Sequence, residues 1–248
     1  MRTWRRKTGW QTVLQAPIDE EGELLSSQGP LNLVIAGVGG QGSLFASQVI
    51  AQAAIQEGFS VRIAETYGVT QRGGPVYSQV RIGHQVYGPL IPKGRCDLIL
   101  GLEPIETLRR AADYLAPGGS VAINTRANVP LETKLGRQPA LSFETIREEL
   151  QKLGVGELLV VDARAMAERA GGAASMNVFM IGTLFGFDIF SLSYDSVEKA
   201  LRIITRPRFL EGNLLSLAKG REYALAAKAG PNGSGEWQRT KDDLEKGV

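Results

Sequence analysis

The stretch Leu31-Asn32-Leu33-Val34-Ile35-Ala36-Gly37-Val38-Gly39-Gly40-Gln41-Gly42 reads as an apolar strand that breaks into a glycine loop. A near-continuous apolar run is what a strand buried on both faces requires. Ser43 to Glu57 then carries Leu44, Phe45, Val49, Ile50, Ala53 and Ala54 at helical spacing, and Gly58 supplies the stop. The same step recurs along the chain. Val61 to Glu65 reads as a second strand, Asp97 to Leu102 as a third, followed by a helix over Pro104 to Tyr114. Pro117-Gly118-Gly119 reads as a turn into a strand over Ser120 to Asn124. A helix over Phe143 to Lys152, a strand over Leu158 to Asp162 and a helix over Ala163 to Ala170 follow. Val76 to Ile82 alternates, and Gly83-His84-Gln85 leads into Val86-Tyr87, the pattern of a β-hairpin. From Met176 to Phe187, Tyr194 to Ile203 and Phe209 to Ala227 the pattern is helical throughout. This alternation predicts an α/β fold: an open, mostly parallel Rossmann-like sheet with helices on both faces, a β-hairpin insertion and a helical C-terminal region.

Gly37 to Gly42 matches Gly-x-Gly-x-x-Gly after a strand and before a helix, and Glu65 ends the next strand 23 residues beyond Gly42. That is the context of a dinucleotide fingerprint, in which glycines admit a phosphate and the helix start offers free N–H groups. The same glycines also suit a tight strand-to-helix turn, or a loop holding some other phosphate or carboxylate. A second loop, Tyr67-Gly68-Val69-Thr70-Gln71-Arg72-Gly73-Gly74-Pro75, follows the second strand where a Rossmann chain would enter a helix. Arg72 there suits a bidentate anion clamp, or a structural pairing with Glu65 or a helix carbonyl. Leaving neighbouring strands, the two loops would face each other across the ligand crevice.

The composition narrows the chemistry. The 248 residues carry a net charge of +2, without the basic excess of a nucleic-acid binder. The single cysteine, Cys96, excludes an internal disulfide and an iron–sulfur cluster held by this chain, which takes about four thiolates. One histidine, His84, removes most zinc and di-iron sites. The longest apolar stretch, Val178 to Phe187, is far short of the roughly 20 residues that span a membrane. No apolar segment follows the basic Met1 to Lys7, and a cytoplasmic location is expected. Residues 1–30 read as an N-terminal arm, acidic at Asp19 to Glu23: either a disordered leader or a strap over a partner subunit anchored by Trp4 and Trp10. Residues 31–228 read as one domain and 229–248 as a flexible tail.

Taken together, Gly37-Val38-Gly39-Gly40-Gln41-Gly42, Tyr67-Gly68 with Arg72-Gly73-Gly74, and Ser78 with Val80-Arg81-Ile82 resemble the gamma-type domain of 2-oxoacid:ferredoxin (acceptor) oxidoreductases. Cys96 to Pro104 resembles the strand-then-Glu-Pro step of that family, and Ser175-Met176-Asn177-Val178 with Met180-Ile181-Gly182 its late helix. The likeness covers about residues 31 to 220. Gly68-Val69-Thr70-Gln71-Arg72 is nearer the aryl-pyruvate branch, the beta-subunit type of indolepyruvate oxidoreductases, than the Gly-Pro-Glu-x-Arg of the pyruvate branch.

The resemblance implies oxidative decarboxylation of a 2-oxoacid by a complex. Thiamine diphosphate and [4Fe–4S] clusters lie on larger partner subunits, coenzyme A usually takes the acyl group, and ferredoxin or another acceptor takes the electrons. This chain would hold no cofactor alone, would be inactive alone, and would contact neither membrane nor nucleic acid. The glycine loops would then form an anion-friendly rim or subunit contact. Its candidate residues are Gly39, Gly40, Gln41, Gly42, Tyr67, Arg72, Gly73 and Gly74, with Asn177 either joining them or capping its helix. The alternatives are a stand-alone NAD(P)-binding oxidoreductase using Gly37 to Gly42 and Glu65, and a ligand-sensing or scaffold domain that reuses the fold. His84 reads as exposed, Cys96 as a small buried residue, and Arg202, Arg206 and Arg208 around Pro207 as a basic patch on a solvated face.

Overall fold

The computed structural model describes residues 29–66, 74–127, 141–230 and 236–239. Strand β1 (Leu31–Val38) is an interior strand, third in a seven-stranded sheet ordered β2-β3-β1-β4-β5-β6-β7. The other strands are β2 (Ser60–Thr66), β3 (Pro75–Gly83), β4 (Cys96–Gly101), β5 (Leu115–Asn124), β6 (Glu157–Val161) and β7 (Glu236–Arg239). β1, β4, β5 and β6 pair parallel, whereas β3 pairs antiparallel with both β1 and β2, and β7 antiparallel with β6. Five of the seven strands therefore run in one sense, with β3 and β7 reversed.

The apolar runs are explained by cover on both faces. Along β1, Leu33 and Ile35 enter one core and Val34 and Ala36 the other, all four fully buried. The first face carries α1 (Ser43–Gln56), α4 (Ala163–Ala170), α5 (Met176–Thr183), α6 (Tyr194–Ile204) and α7 (Pro207–Lys228). The second carries α2 (Pro104–Tyr114) and α3 (Phe143–Lys152). Side-chain oxygens of Glu103, Ser142, Asp162 and Ser193 cap α2, α3, α4 and α6, satisfying N–H groups that the first turn leaves free. Every residue of α5 is buried, because α7 lies over it. The two helices approach through Gly182 and Gly220: a Cβ on Gly220 would collide with the Phe179 carbonyl. No helix among the described residues is long and apolar enough to cross a membrane.

Three local expectations are corrected. The hairpin is β2–β3 rather than Val76–Tyr87. With β2 on one side and β1 on the other, β3 has no free edge for Val86-Tyr87, so residues 84–95 form a loop. Side chains of β3 hold that loop instead: Arg81 Nη1 donates to Gly88 O (3.0 Å), and Gln79 Oε1 accepts from Ile91 N (2.5 Å). Pro117-Gly118-Gly119 does not precede β5 but bulges within it, since Cys96 pairs with Leu115 and Leu98 with Ser120. Within the stretch expected to be a flexible tail, Glu236–Arg239 adds an edge strand. Trp237 anchors that strand in the core, its ring 4.7 Å from that of Phe187. Cys96 is buried and His84 exposed, as read from the sequence.

Candidate functional site

From the adjacent strands β1 and β4 the chain departs to opposite sides of the sheet. Open α/β sheets leave a crevice at such a switch point, beyond the strand ends. Here it lies between the loop Val38–Gly42 and the Leu102–Glu103 step, joined by Leu102 N–H donating to Ala36 O (2.7 Å). Gln41 spans it. Its Oε1 accepts from Val38 N–H (2.9 Å), and its Nε2 donates to Leu102 O (3.3 Å). Gln41 N–H also donates to Val38 O (3.1 Å), closing the loop upon itself.

Gly40 and Gly42 have φ of 100° and 82°, conformations that favour glycine. At Gly42 packing adds a second reason, because a Cβ would collide with the Asn177 side-chain amide. Asn177 Nδ2 donates to Gly42 O (3.2 Å) and Asn177 Oδ1 accepts from Val178 N–H (2.9 Å). The late helix thus reaches back to the first glycine loop. No side chain among the described residues caps α1, and its first turn has no acid. Its leading N–H groups and the positive end of its dipole therefore stand at the crevice without a carboxylate of the helix's own first turn.

Neighbouring groups close the other end of this edge. Asn124, buried at the end of β5, donates to Leu102 O (3.1 Å) and accepts from Ala163 N–H (3.0 Å). Arg126 Nε bonds both oxygens of Asp162 (3.0 and 3.1 Å), the residue that also caps α4. Asn124 and Arg126 were not anticipated from the sequence. A polar residue ending the run Val121-Ala122-Ile123 was the available signal for the first. Nothing marks Arg126.

On the opposite face, Tyr77 of β3 lies across from Ala36 and Thr66 in the strand ladders. Its hydroxyl is 3.3 Å from that of Tyr114, and the Arg110 guanidinium sits 4.6 Å from its ring centre. Burial raises the Tyr77 phenol, but hydrogen bonds from Thr66 and Tyr114 and the Arg110 charge outweigh it and leave the pKa below the ordinary value. The Tyr77 hydrogen bond, with burial, pushes Tyr114 up to about 12. Burial likewise pushes the Cys96 thiol up to about 12.

Of the sequence candidates, Gly39, Gly40, Gln41, Gly42, Gly74 and Asn177 come together. Tyr67, Arg72 and Gly73, like Trp4 and Trp10, lie outside the described residues. The expectation that the two glycine loops leave neighbouring strands is corrected, since β3 lies between β1 and β2. The loops still meet: Gly39 N–H donates to Gly74 O (2.9 Å), just before β3. The same wedge moves Glu65 about 10 Å from β1, two strand spacings. Its Oε1 there accepts from the Ser47 hydroxyl of α1 (3.2 Å). A ribose-binding acid would need to stand on the strand beside β1, so the geometry speaks against the dinucleotide alternative.

Residues 32–223 match the family described as pyruvate ferredoxin/flavodoxin oxidoreductase. The chain is similar to the indolepyruvate oxidoreductase subunit IorB of Pyrococcus horikoshii, 37% identical over 189 residues, which cover 76% of this chain and 93% of the relative. Two solved structures share its fold. One is the gamma subunit of keto/oxoacid ferredoxin oxidoreductase from Geobacter sulfurreducens (TM-score 0.59, 24% identity, 79% of this chain and 99% of the other). The other is 2-oxoglutarate:ferredoxin oxidoreductase from Magnetococcus marinus, solved with 2-oxoglutarate, coenzyme A and succinyl-CoA bound (TM-score 0.60, 21% identity, 81% of this chain but 32% of the other). In that enzyme the shared fold is one part of a chain about three times as long. With the family match running from β1 into α7, the chain belongs to the pyruvate ferredoxin/flavodoxin oxidoreductase family, among its gamma-type subunits.

Proposed function

We propose that this chain is the non-cluster subunit of a thiamine diphosphate- and iron–sulfur-dependent 2-oxoacid:acceptor oxidoreductase. The complex would oxidatively decarboxylate a 2-oxoacid of the aryl-pyruvate type and pass electrons to ferredoxin or a similar acceptor. One observation carries the reading: the switch-point crevice is bridged by the protein's own Gln41, while no side chain among the described residues caps the start of α1 beside it.

The residues of this chain do not fit an iron–sulfur cluster. The only cysteine is enclosed in the core with its thiol held protonated, and no group of three or more His, Cys, Asp or Glu gathers among the described residues. Electron transfer and the thiamine chemistry accordingly belong to larger partner subunits. What this chain offers is a rim. The backbone N–H groups at the start of α1, beyond Gly40 and Gly42, suit a carboxylate or a coenzyme A phosphate, and Gln41 and Asn177 hold that backbone in place.

The test is to recover the tagged chain from its host and assay thiamine diphosphate, iron and sulfide in the eluate, with dye reduction dependent on 2-oxoacids. Stoichiometric cofactors, and turnover faster with an aryl-pyruvate than with pyruvate, are expected. Turnover by the isolated chain, or saturable micromolar NADH binding to it, would overturn the reading.

A further inference from the structure

The sequence places Arg202, Arg206 and Arg208 around Pro207, at the corner between α6 and α7. Arg202 is tied to Glu198 (2.7 Å). Arg206 and Arg208 are exposed and form no ion pair among the described residues, and the Arg208 guanidinium rests 4.6 Å from the Phe209 ring centre. The same corner leaves large apolar side chains in water: Ile203 is 66% exposed and Phe209 46%. Two cations without an ion pair among the described residues, beside two exposed apolar residues, do not resemble an ordinary solvated face.

Two chain paths set the corner on the glycine-loop side of the sheet. The start of α6 is bonded to the end of α1, Ser193 N–H donating to Glu57 Oε1 (2.8 Å). The two helices pack together, so the far end of α6 points toward the start of α1. Independently, α7 runs along α5 in the same sense. Gly171 abuts Gly212, Ser175 Oγ bonds Ser216 Oγ (2.6 Å), and Gly182 abuts Gly220. Because α5 begins at Gly42, through Asn177, the first turns of α7 lie toward the same edge. Leu44, in the first turn of α1 and 40% exposed, adds a third apolar residue on that side.

We propose that the α6–α7 corner, with Arg206, Arg208, Ile203 and Phe209, is the surface on which the larger cofactor-bearing subunit docks, through a face of carboxylates around an apolar patch. This inference rests on the function proposed above and adds to it where the partner sits and what chemistry it presents. Arginine and an aromatic ring in one patch are what interface centres favour, and the charge pairing governs the rate of encounter and its salt dependence. Docking here would set the glycine rim beside the partner's reaction centre.

The experiment starts from the complex that forms on the tagged wild-type chain, its larger subunit identified by thiamine diphosphate, iron and sulfide. That subunit is purified, and its rebinding to immobilised full-length variants is measured across salt concentrations. Arg206→Glu with Arg208→Glu should weaken binding by at least about tenfold and flatten its salt dependence. Phe209→Ser should weaken it about tenfold at all salt concentrations. Lys152→Glu, on α3 across the sheet, should bind as wild type. If the double reversal lowers the melting temperature, Arg206→Gln with Arg208→Gln replaces it and should still weaken binding. Wild-type affinity in the folded arginine and Phe209 variants would overturn the surface while leaving the proposed function standing. A change confined to self-association would also overturn it, because the occupant would be a second copy of this chain. A wild-type chain that recovers no thiamine- and iron-bearing subunit would sink both.

Discussion

Asn177 and Gly42 stand 135 residues apart in sequence, yet Asn177 Nδ2 donates to the Gly42 carbonyl (3.2 Å) where the first helix begins. Gly42 has no room for a Cβ and a φ of 82°. Gly42→Ala should therefore cost about 2 kcal/mol from the left-handed backbone, with more from displacing Asn177. A melting temperature lower by about 5 °C is expected. Thermal unfolding of the two proteins checks this, and equal melting temperatures would contradict it.

Gln41 holds the crevice through one acceptor and one donor. Gln41→Ala leaves Val38 N–H and Leu102 O without that partner, a loss of about 1–3 kcal/mol in denaturant unfolding. Gln41→Glu keeps the acceptor but turns an oxygen toward Leu102 O. The neutral carboxyl can donate there and the carboxylate cannot, so folding raises its pKa. Stability relative to wild type should then be greatest in acid and fall as the pH rises through that value. A pH series of urea midpoints reads the sign.

The Tyr77–Tyr114 pair should appear in a near-ultraviolet phenolate titration. One hydroxyl titrates below the ordinary value, and another at about 12. Tyr77→Phe removes the first and takes away the hydrogen bond that chiefly raises Tyr114, so the high midpoint should move down. A Tyr114 midpoint that stays put would show that burial alone sets it.

Cys96 opens β4, its thiol buried and donating to Leu98 O (3.1 Å), with burial pushing its pKa up to about 12. Thiol reagents at pH 8 should label the native chain only as fast as it opens, and the unfolded chain at once. Rapid stoichiometric labelling of folded protein would contradict the burial.

The parts legible in the sequence were those written in local pattern. β1, α1 and the glycine loop declare themselves because an unbroken apolar run, a 3.6-residue spacing and φ-permissive glycines are local signals. The place of β3 was not legible. Alternation in Val76–Ile82 says strand but does not name its neighbours, and Val80 is as buried as any β1 residue because it has one on each side. β7 was hidden by its composition, Glu-Trp-Gln-Arg within a polar stretch rich in glycine, where Trp237 packs against the core. Within the site, the glycines were legible. The Gln41 bridge and the Asn177 strut were not, since both depend on atoms brought together only by the finished sheet.

The reversed ribbon between the first and second forward strands also bears on redesign. Anyone hoping to make this scaffold carry a nicotinamide could not do so by exchanging side chains at Gly37–Gly42 or Glu65. The obstacle is a whole length of backbone, hydrogen-bonded along both its margins, and excising it would leave the central strand with an open flank.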